Sequence, residues 1–241
     1  MILINDTCDN IAVSAQYHTV FADPPDNLGL KYDAYNDRVP DEEYAGNLAR
    51  WIKLFVARAY TTWVSFNARH WVTVARIVSE IPPIVTARLC VQTYTFGQHC
   101  QTDLSQCFRP LLRLQWQEAP LFPDAIRVPS ARQTVYHDKR ADPRGCVPSD
   151  VFDFPRITGN HPQRRKWHPT QLREELIERC LKLTTPAGGL VCDPFGGTGT
   201  VARVCKAHGF GNVTYEIDRG YCESIAAEMD LHHIDPQTWS N

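Results

Sequence analysis

The sequence predicts an α/β domain in which a mostly parallel sheet is covered by helices on both faces. Short apolar runs of strand length alternate along the chain with stretches whose apolar residues recur at helical spacing. This alternation is typical of a doubly wound sheet. The 241 residues, 43% of them hydrophobic, are enough to form one domain with a full core. We therefore expect a single domain over residues 1–241.

The elements of the first half follow in order. Residues 1–4 predict a strand, and Asp6 is placed to cap a helix over residues 8–15. Residues 19–22 predict a second strand. Three acids at 41–43 open an amphipathic helix, because the helix dipole favours negative charge in the first turn. The rest of this half predicts a strand at 62–66, a helix from 71 to 78, and a hairpin of 88–94 with 111–116 at the end of the sheet.

The second half begins with a change of composition. Prolines, arginines and aromatic residues dominate residues 117–165, and no period appears there. Helical spacing returns at 171–184. A strand at 190–192, a helix from 201, a strand at 211–216 and a final helix from Tyr221 complete the alternation.

Composition and charge limit the classes of function. The net charge of −2 means that any contact with nucleic acid must come from a local patch. The nine cysteines lack paired C-x-x-C spacing, and the nearest approach to a metal cluster, His99 and Cys100 with Cys107, lacks the usual ligand pattern. We expect reduced thiols and no metal. No leader-like or membrane-spanning run occurs, so a cytoplasmic protein without membrane contact is expected.

The stretch GGLVCDPFGGTGT, residues 188–200, joins a predicted strand to a predicted helix through a glycine turn. Glycine permits positive φ and close approach of a ligand, and the first helical amides point into the same space. Residues 197–202 also fit the dinucleotide pattern G-x-G-x-x-G/A. However, Asp193 at the strand end would repel a pyrophosphate, whereas it suits the ammonium group of S-adenosylmethionine. The stretch favours S-adenosylmethionine over NAD, and NAD over a turn without ligand.

The tetrapeptide at residues 23–26, DPPD, also follows a predicted strand and should lie at the same sheet edge. Consecutive prolines fix the loop and direct the Asp23 carboxylate and the Pro24 carbonyl at one point. Two such acceptors can hold an exocyclic amino group and turn its lone pair toward an electrophilic methyl. Taken alone, the tetrapeptide would indicate an ordinary Pro-Pro loop.

Together these stretches resemble the amino-directed DNA methyltransferases, in which a (D/N/S)PP(Y/F/W) tetrapeptide holds the base and a DPFxGxGT turn holds S-adenosylmethionine. The tetrapeptide comes first here, which resembles the β group with its permuted motif order. Residues 168–171, HPTQ, are similar to the segment before that group's cofactor helix. The resemblance implies a Rossmann-like methyltransferase fold with a catalytic half at 1–116, a target-recognition insertion at 117–165 and a cofactor half at 166–241.

The resemblance also assigns roles to residues. The catalytic residues would be Asp23, Pro24, Pro25 and Asp26. Asp6 matches the acidic turn near the cofactor adenine, and Glu216 matches the acid that holds the ribose hydroxyls. The full cofactor set would be Asp6, Asp23, His168, Thr170, Asp193, Pro194, Phe195, Gly197, Thr198, Gly199, Thr200, Glu216 and Ile217. DNA would be contacted by Arg127, Arg132, Lys139, Arg140, Arg144, Arg164 and Arg165, although interspersed aspartates leave a merely solvated loop open.

The implied reaction is direct transfer of a methyl group to the amino nitrogen of a flipped base. An Asp at the first tetrapeptide position favours adenine N6. Cytosine N4, an amino group of RNA or of a modified base, and a DNA-binding relative without catalysis stay open. Asp26 departs from the family's aromatic fourth position, because a carboxylate cannot stack on a base. Candidates for the missing ring are Tyr32, Tyr35 and Trp51, and a homodimer and a cognate restriction nuclease are also left open.

Overall fold

The computed structural model describes residues 1–94 and 100–235, in which strands and helices alternate. The strands are β1 (Ile2–Ile4), β2 (Tyr17–Ala22), β3 (Ala59–Ser65), β4 (Val85–Thr93), β5 (Phe108–Trp116), β6 (Val151–Asp153), β7 (Leu190–Asp193), β8 (Gly211–Tyr215) and β9 (His233–Ile234). The α-helices are α1 (Asp41–Arg58), α2 (Trp71–Ser79), α3 (Ala131–Thr134), α4 (Glu174–Thr184), α5 (Thr200–His208) and α6 (Arg219–Met229).

All nine described strands form one sheet in the order β6-β4-β5-β3-β2-β7-β8-β1-β9. Only β5 runs antiparallel to its neighbours β3 and β4, so the sheet is mostly parallel, as predicted. The expected hairpin is β4–β5. The short strand β6 pairs with β4 and extends the sheet one strand beyond the hairpin.

The register of the two central strands determines where the site forms. Strand β2 pairs in parallel with β7, with Val20 opposite Cys192. Both strands then end at the same edge of the sheet, because parallel strands share a direction. The tetrapeptide after β2 and the glycine turn after β7 therefore begin side by side.

The core lies on both faces of the sheet, because successive strand residues point to opposite sides. Val20 packs with Tyr44, Leu48, Ile52 and Phe55 of α1 on one face. Phe21 packs on the other face with Leu176, Ile177, Cys180 and Leu181 of α4. Each of these apolar side chains contributes roughly 1.5–3 kcal/mol when it is fully buried. The predicted helical stripes are thus the buried faces of α1 and α4.

Strand β1 lies between β8 and β9, with Leu3 opposite Thr214 on one side and His233 on the other. The strand predicted at residues 1–4 is therefore present and runs parallel to both of its neighbours. The amide of Glu216 donates to the Ile4 carbonyl at 3.0 Å and so continues the pairing beyond β8. The ends of β1 and β8 are thereby held together at the edge where the site lies.

The helix predicted at residues 8–15 is wrong, because the chain makes only a 3₁₀ turn at Cys8–Asn10. Thr7, not Asp6, caps that turn. The Asp6 carboxylate instead accepts hydrogen bonds from the Thr7 amide and the Asn10 side chain, at 2.7 and 2.9 Å. These local bonds compete with a helix, as short polar side chains often do.

Residues 171–173 also lie outside their predicted helix, since α4 begins at Glu174. Gln171 connects this segment to residues 163–165: its side-chain nitrogen donates to the Gln163 carbonyl, and its side-chain oxygen accepts from the Arg165 amide. Residues 117–165 are mostly irregular, as expected, with the four-residue helix α3, a 3₁₀ turn at Pro123–Ile126 and the strand β6 as their regular elements.

Candidate active site

The two loops predicted to meet do meet. The tetrapeptide and the glycine turn line one cavity of about 610 Å³ at the edge where β2 and β7 end. Every residue predicted to hold the cofactor lines this cavity except Gly199, and all four tetrapeptide residues do so as well. A cavity of this size is within the range of small-molecule sites.

The glycine turn has a shape that other residues would oppose. Gly197 and Gly199 adopt φ values of +49° and +73°. A Cβ at Gly196 would come within 2.7 Å of the Thr214 side chain. Gly199 also precedes the first residue of α5, so the turn leads directly into a helix N-terminus. The backbone is therefore free of side chains where a ligand would approach.

Two buried acids lie beside this turn. Asp193 is 2% exposed and accepts a hydrogen bond from the Phe195 amide at 3.1 Å. Burial raises its pKa to about 8, and the neighbouring charges of Glu216 and Asp23 act in the same direction. Burial likewise raises the pKa of Glu216 to about 7, although the amides of Asp218 and Gly197 oppose the shift by bonding to the carboxylate.

Neither acid forms an ion pair with any residue in the described part of the chain. Two buried carboxyl groups without a protein cation favour a ligand that brings positive charge, because that charge stabilises their ionised forms. A pyrophosphate would instead add further negative charge beside the two acids. The two carboxyl groups therefore fit the ammonium and sulfonium of S-adenosylmethionine and disfavour NAD.

His168 is buried against the glycine turn. Its Nδ1 lies 2.6 Å from the Thr170 carbonyl oxygen, which selects the tautomer that donates from Nδ1. Burial lowers the pKa of His168, which favours the neutral imidazole, and a proton on Nδ1 leaves Nε2 as an acceptor. The ring contacts Tyr221 and Tyr32, with centroids 4.8 and 5.7 Å away.

The tetrapeptide is held from two sides. The buried Tyr44 hydroxyl donates to the Pro25 carbonyl at 2.6 Å. On the other side, Arg109 of β5 binds both aspartates: Nη2 lies 2.7 Å from Asp23 Oδ1, and Nη1 lies 2.6 Å from Asp26 Oδ2. Among the described contacts the Pro24 carbonyl accepts no hydrogen bond, so it is available to a substrate.

Sequence reasoning missed Arg109. The one available signal was the presence of two arginines, Arg109 and Arg113, in the mostly apolar strand pattern of residues 108–116, which is unusual for a buried strand. The side chain is 17% exposed and pairs with acids more than eighty residues away along the chain. Burial raises the pKa of Asp23, while the charge of Arg109 and a hydrogen bond from Ser65 oppose that shift.

The three candidate rings line the cavity, but each has a partner beside the glycine turn or in the neighbouring loop. Trp51 makes an edge contact with Phe195 at 5.1 Å, and Tyr32 lies against His168. Tyr35 packs against the core on the α1 side. A stacking role for any of them stays a prediction.

Most of the basic residues predicted to contact DNA are matched by acids. Arg132 and Arg140 both bind Asp138, Arg144 binds Asp142, Arg127 binds Asp124, and Arg165 binds Glu228. Lys139 and Arg164 form no ion pair with a described residue, and Arg164 donates to the Pro169 carbonyl at 3.3 Å. None of the seven lines the cavity, whose wall carries Arg50, Arg109 and Arg156 instead.

Over the described residues, no group of three potential ligands could hold a metal ion, and His99 lies outside that part of the chain. No helix in the same ranges is long and apolar enough to cross a membrane.

Solved structures resemble this fold over nearly its whole length. The complex of M1.HpyAVI with S-adenosylmethionine has a TM-score of 0.65 at 14% identity and covers 95% of this chain and 99% of its own. The cytosine-N4-specific PvuII DNA methyltransferase has a TM-score of 0.68 at 11% identity and covers 93% of this chain and 84% of its own. At these identities the likeness shows the fold, which is that of S-adenosylmethionine-dependent DNA methyltransferases.

Sequence comparison identifies relatives with described activities. The type II methyltransferase M.HpaI of Haemophilus parainfluenzae is 26% identical over 88% of this chain and 67% of its own length. M.BamHI of Bacillus amyloliquefaciens is 27% identical over 88% of this chain and 52% of its own length. The DNA adenine methyltransferase YhdJ of Escherichia coli is 23% identical over 88% of this chain and 76% of its own length. The chain thus spans about half to three quarters of these relatives.

The model of a family described as DNA methylase, which covers N6- and N4-directed enzymes, matches residues 17–228. That range contains the tetrapeptide, the glycine turn and the acids beside it, which the structure brings into one cavity. The chain therefore belongs to the N6/N4 DNA methylase family.

Proposed function

We propose that this protein transfers a methyl group from S-adenosylmethionine to the N6 amino group of an adenine flipped out of duplex DNA. The observation that supports this most strongly is the shared cavity of the tetrapeptide and the glycine turn. A methyl donor held by one loop and an amino acceptor held by the other would face each other there. Positioning of this kind supplies much of the rate gain in a displacement reaction.

Four parts of the cavity fit S-adenosylmethionine, which supplies an electrophilic methyl group. Asp193 would bind the ammonium, and Glu216 would bind the ribose hydroxyls. Asp6 and Ile217 line the cavity beyond Glu216, where the adenine would lie. The turn at Gly197 and Gly199 would receive the amino-acid portion against the main chain.

The tetrapeptide would hold the base. Asp23 Oδ1 accepts from Arg109, so Arg109 leaves Oδ2 and the Pro24 carbonyl for the two amino hydrogens. Two hydrogen bonds at these positions draw the amino lone pair out of conjugation and toward the methyl. The charge of Arg109 opposes the rise in the pKa of Asp23 that burial causes, and so favours the ionised carboxylate, which is the stronger acceptor.

Adenine is favoured over cytosine because the tetrapeptide begins with Asp. The adenine methyltransferase YhdJ aligns over most of the chain, which supports the same choice. Cytosine N4 is the second candidate, since the PvuII enzyme of that specificity shares the fold. An amino group on RNA or on a modified base, and a DNA-binding relative without catalysis, are the remaining alternatives.

We also propose that residues 1–116 act as the catalytic half, 117–165 as the target-recognition segment and 166–241 as the cofactor half. A homodimer and a cognate nuclease stay predictions.

The test uses unmethylated plasmid DNA and S-adenosylmethionine with a labelled methyl group. After transfer, the DNA is digested to nucleosides, and mass spectrometry locates the label. N6-methyladenine is the expected product, and N4-methylcytosine would instead identify the second candidate. Asp23→Ala should lose transfer. Binding of DNA without any transfer would identify a non-catalytic relative.

A further inference from the structure

The fourth tetrapeptide position carries a buried carboxylate that is fully committed to protein partners. Asp26 is 12% exposed in its side chain. Its Oδ1 accepts from the Asn67 amide at 3.0 Å, and its backbone carbonyl lies 2.8 Å from His70 Nε2. These contacts fix Asp26 to the loop after β3. The carboxylate is therefore part of the wall and is not a mobile group available to a substrate.

Arg109 connects this wall to the catalytic acid. Its Nε donates to Ser65 Oγ at 2.6 Å. Its Nη1 donates to Asp26 Oδ2 at 2.6 Å, and its Nη2 donates to Asp26 Oδ1 at 3.1 Å and to Asp23 Oδ1 at 2.7 Å. Four of the five N–H donors of a guanidinium are thus used. The guanidinium thus makes a bidentate contact with the Asp26 carboxylate and donates a single hydrogen bond to Asp23.

Because of this arrangement, Arg109 donates to only one of the two Asp23 carboxylate oxygens. A buried guanidinium next to a carboxylate prefers a two-pronged contact with both oxygens. Without the charge of Asp26, Arg109 would have Asp23 as its sole anionic partner and would bind both of its oxygens. The oxygen that the base amino group needs would then be occupied by the protein.

We infer that Asp26 is a positioning residue that draws the two-pronged end of Arg109 onto itself and so keeps one Asp23 oxygen free for the amino group of the base. The inference rests on the proposed function for its catalytic consequence. An aromatic residue at this position would contact the base directly. Here the acid acts on the base through Arg109 and Asp23.

Two substitutions should move the titration of Asp23 in opposite directions. Asp26→Asn keeps the shape but removes the charge, so the whole attraction of Arg109 falls on Asp23 and lowers its pKa. Arg109→Gln removes the cation and raises the pKa of Asp23. The ¹³C NMR signal of the Asp23 carboxyl, assigned by its absence in Asp23→Asn, measures both shifts in the full chain.

Activity provides the second readout. Asp26→Asn should lower kcat for methyl transfer by about tenfold or more, the loss expected when a charged hydrogen bond is misdirected, while S-adenosylmethionine affinity stays within about twofold. The double variant Asp26→Asn/Arg109→Gln should be faster than Asp26→Asn at pH 8.5, because the second change releases Asp23. Glu80→Gln, which breaks the exposed pair with Lys53, is the matched control and should change neither readout.

The inference would be overturned if the pKa of Asp23 moved in the same direction in Asp26→Asn and Arg109→Gln, or did not move in either variant. So would a double variant slower than Asp26→Asn, since that would mean that each residue supports the site independently. If the unsubstituted protein transfers no methyl group, the proposed function fails, while the carboxyl titration still decides the role of Asp26. If Asp26→Asn does not fold, Asp26→Ser removes the same charge and takes its place in both comparisons.

Discussion

The carboxylate of Glu216 accepts a hydrogen bond from the backbone amide of Gly197 at 2.6 Å. The same carboxylate accepts from the Asp218 amide at 2.8 Å through its other oxygen. One side chain at the end of β8 therefore fixes the glycine turn after β7 and the start of α6. The turn is already shaped for a ligand before any ligand binds, which lowers the ordering cost of binding.

We expect Glu216→Gln to weaken S-adenosylmethionine binding by about tenfold to a hundredfold, which corresponds to the loss of a charged hydrogen bond. The amide has one acceptor oxygen for two backbone donors, so it leaves one donor facing an NH₂ group. Isothermal titration calorimetry measures the change. Glu223→Gln, which removes an exposed acid paired with Arg219 on α6, should leave the affinity unchanged. Equal affinity in the two variants would contradict the role of Glu216.

We expect cofactor affinity to rise between pH 6 and pH 8, because Asp193 has a pKa of about 8 in the free protein. Below that pH the acid is protonated, and it must ionise to pair with the ammonium, so binding releases protons. Above pH 8 the affinity should fall again, since an α-amino group loses its own proton at about 7.7–8.0. Calorimetry in two buffers of different ionisation enthalpy measures the proton release. In Asp193→Asn the part of the rise centred near pH 8 should disappear and leave the smaller rise near pH 7 that Glu216 contributes. An unchanged profile would assign the rise to another group.

The sequence predicted the meeting of these groups because parallel strands end at a common edge. Asp23 and Asp193 each follow a strand recognisable by composition, so their proximity required no knowledge of register. Arg109 was different. It reaches Asp23 because Ala22 pairs with Val64 and Ser65 pairs with Leu111, which places the start of β5 two strands from the tetrapeptide. Register depends on packing of the whole sheet, and a single sequence does not display it.

The absence of the helix predicted after Asp6 has a local cause. Its apolar spacing favoured a helix, yet the Asp6 carboxylate binds Thr7 and Asn10 and stops the chain from propagating one. The prediction of DNA contacts rested on the number of basic residues in the segment and not on the acids with which they pair. Charge counts from sequence cannot show that Asp138 lies between Arg132 and Arg140.

We expect Gly199→Ala to destabilise the protein by roughly 1–3 kcal/mol, through a left-handed backbone that Ala resists and a close contact. Gly199 has φ +73°, and a Cβ there would lie 3.0 Å from the Ile225 side chain. Gly46→Ala in the exposed face of α1 is the control, because nothing lies within 4 Å of its Cβ. That change should stabilise by about 0.5–1 kcal/mol, the usual gain of Ala over Gly in a helix. Denaturant unfolding measures the free energy of unfolding of both variants. If Gly199→Ala is as stable as the unsubstituted protein, the expected backbone strain at position 199 is absent.

Lys139 and Arg127 should differ in their effect on DNA binding, although both lie in the segment proposed to recognise the target. Lys139 is exposed and forms no ion pair with a described residue, whereas Arg127 is 20% exposed, pairs with Asp124 and donates to the Gly145 carbonyl at 2.9 Å. Lys139→Ala should therefore reduce the slope of log affinity against log salt by about one, the value of a lost phosphate contact. Arg127→Ala should lower the melting temperature and leave that slope unchanged, because its charge is neutralised within the protein. Fluorescence anisotropy across a salt series measures the slopes, with Lys53→Ala, which removes an exposed lysine of α1 paired with Glu80, as the control. A slope that changes for Arg127 but not for Lys139 would mean that the ion pairs of this segment open on DNA.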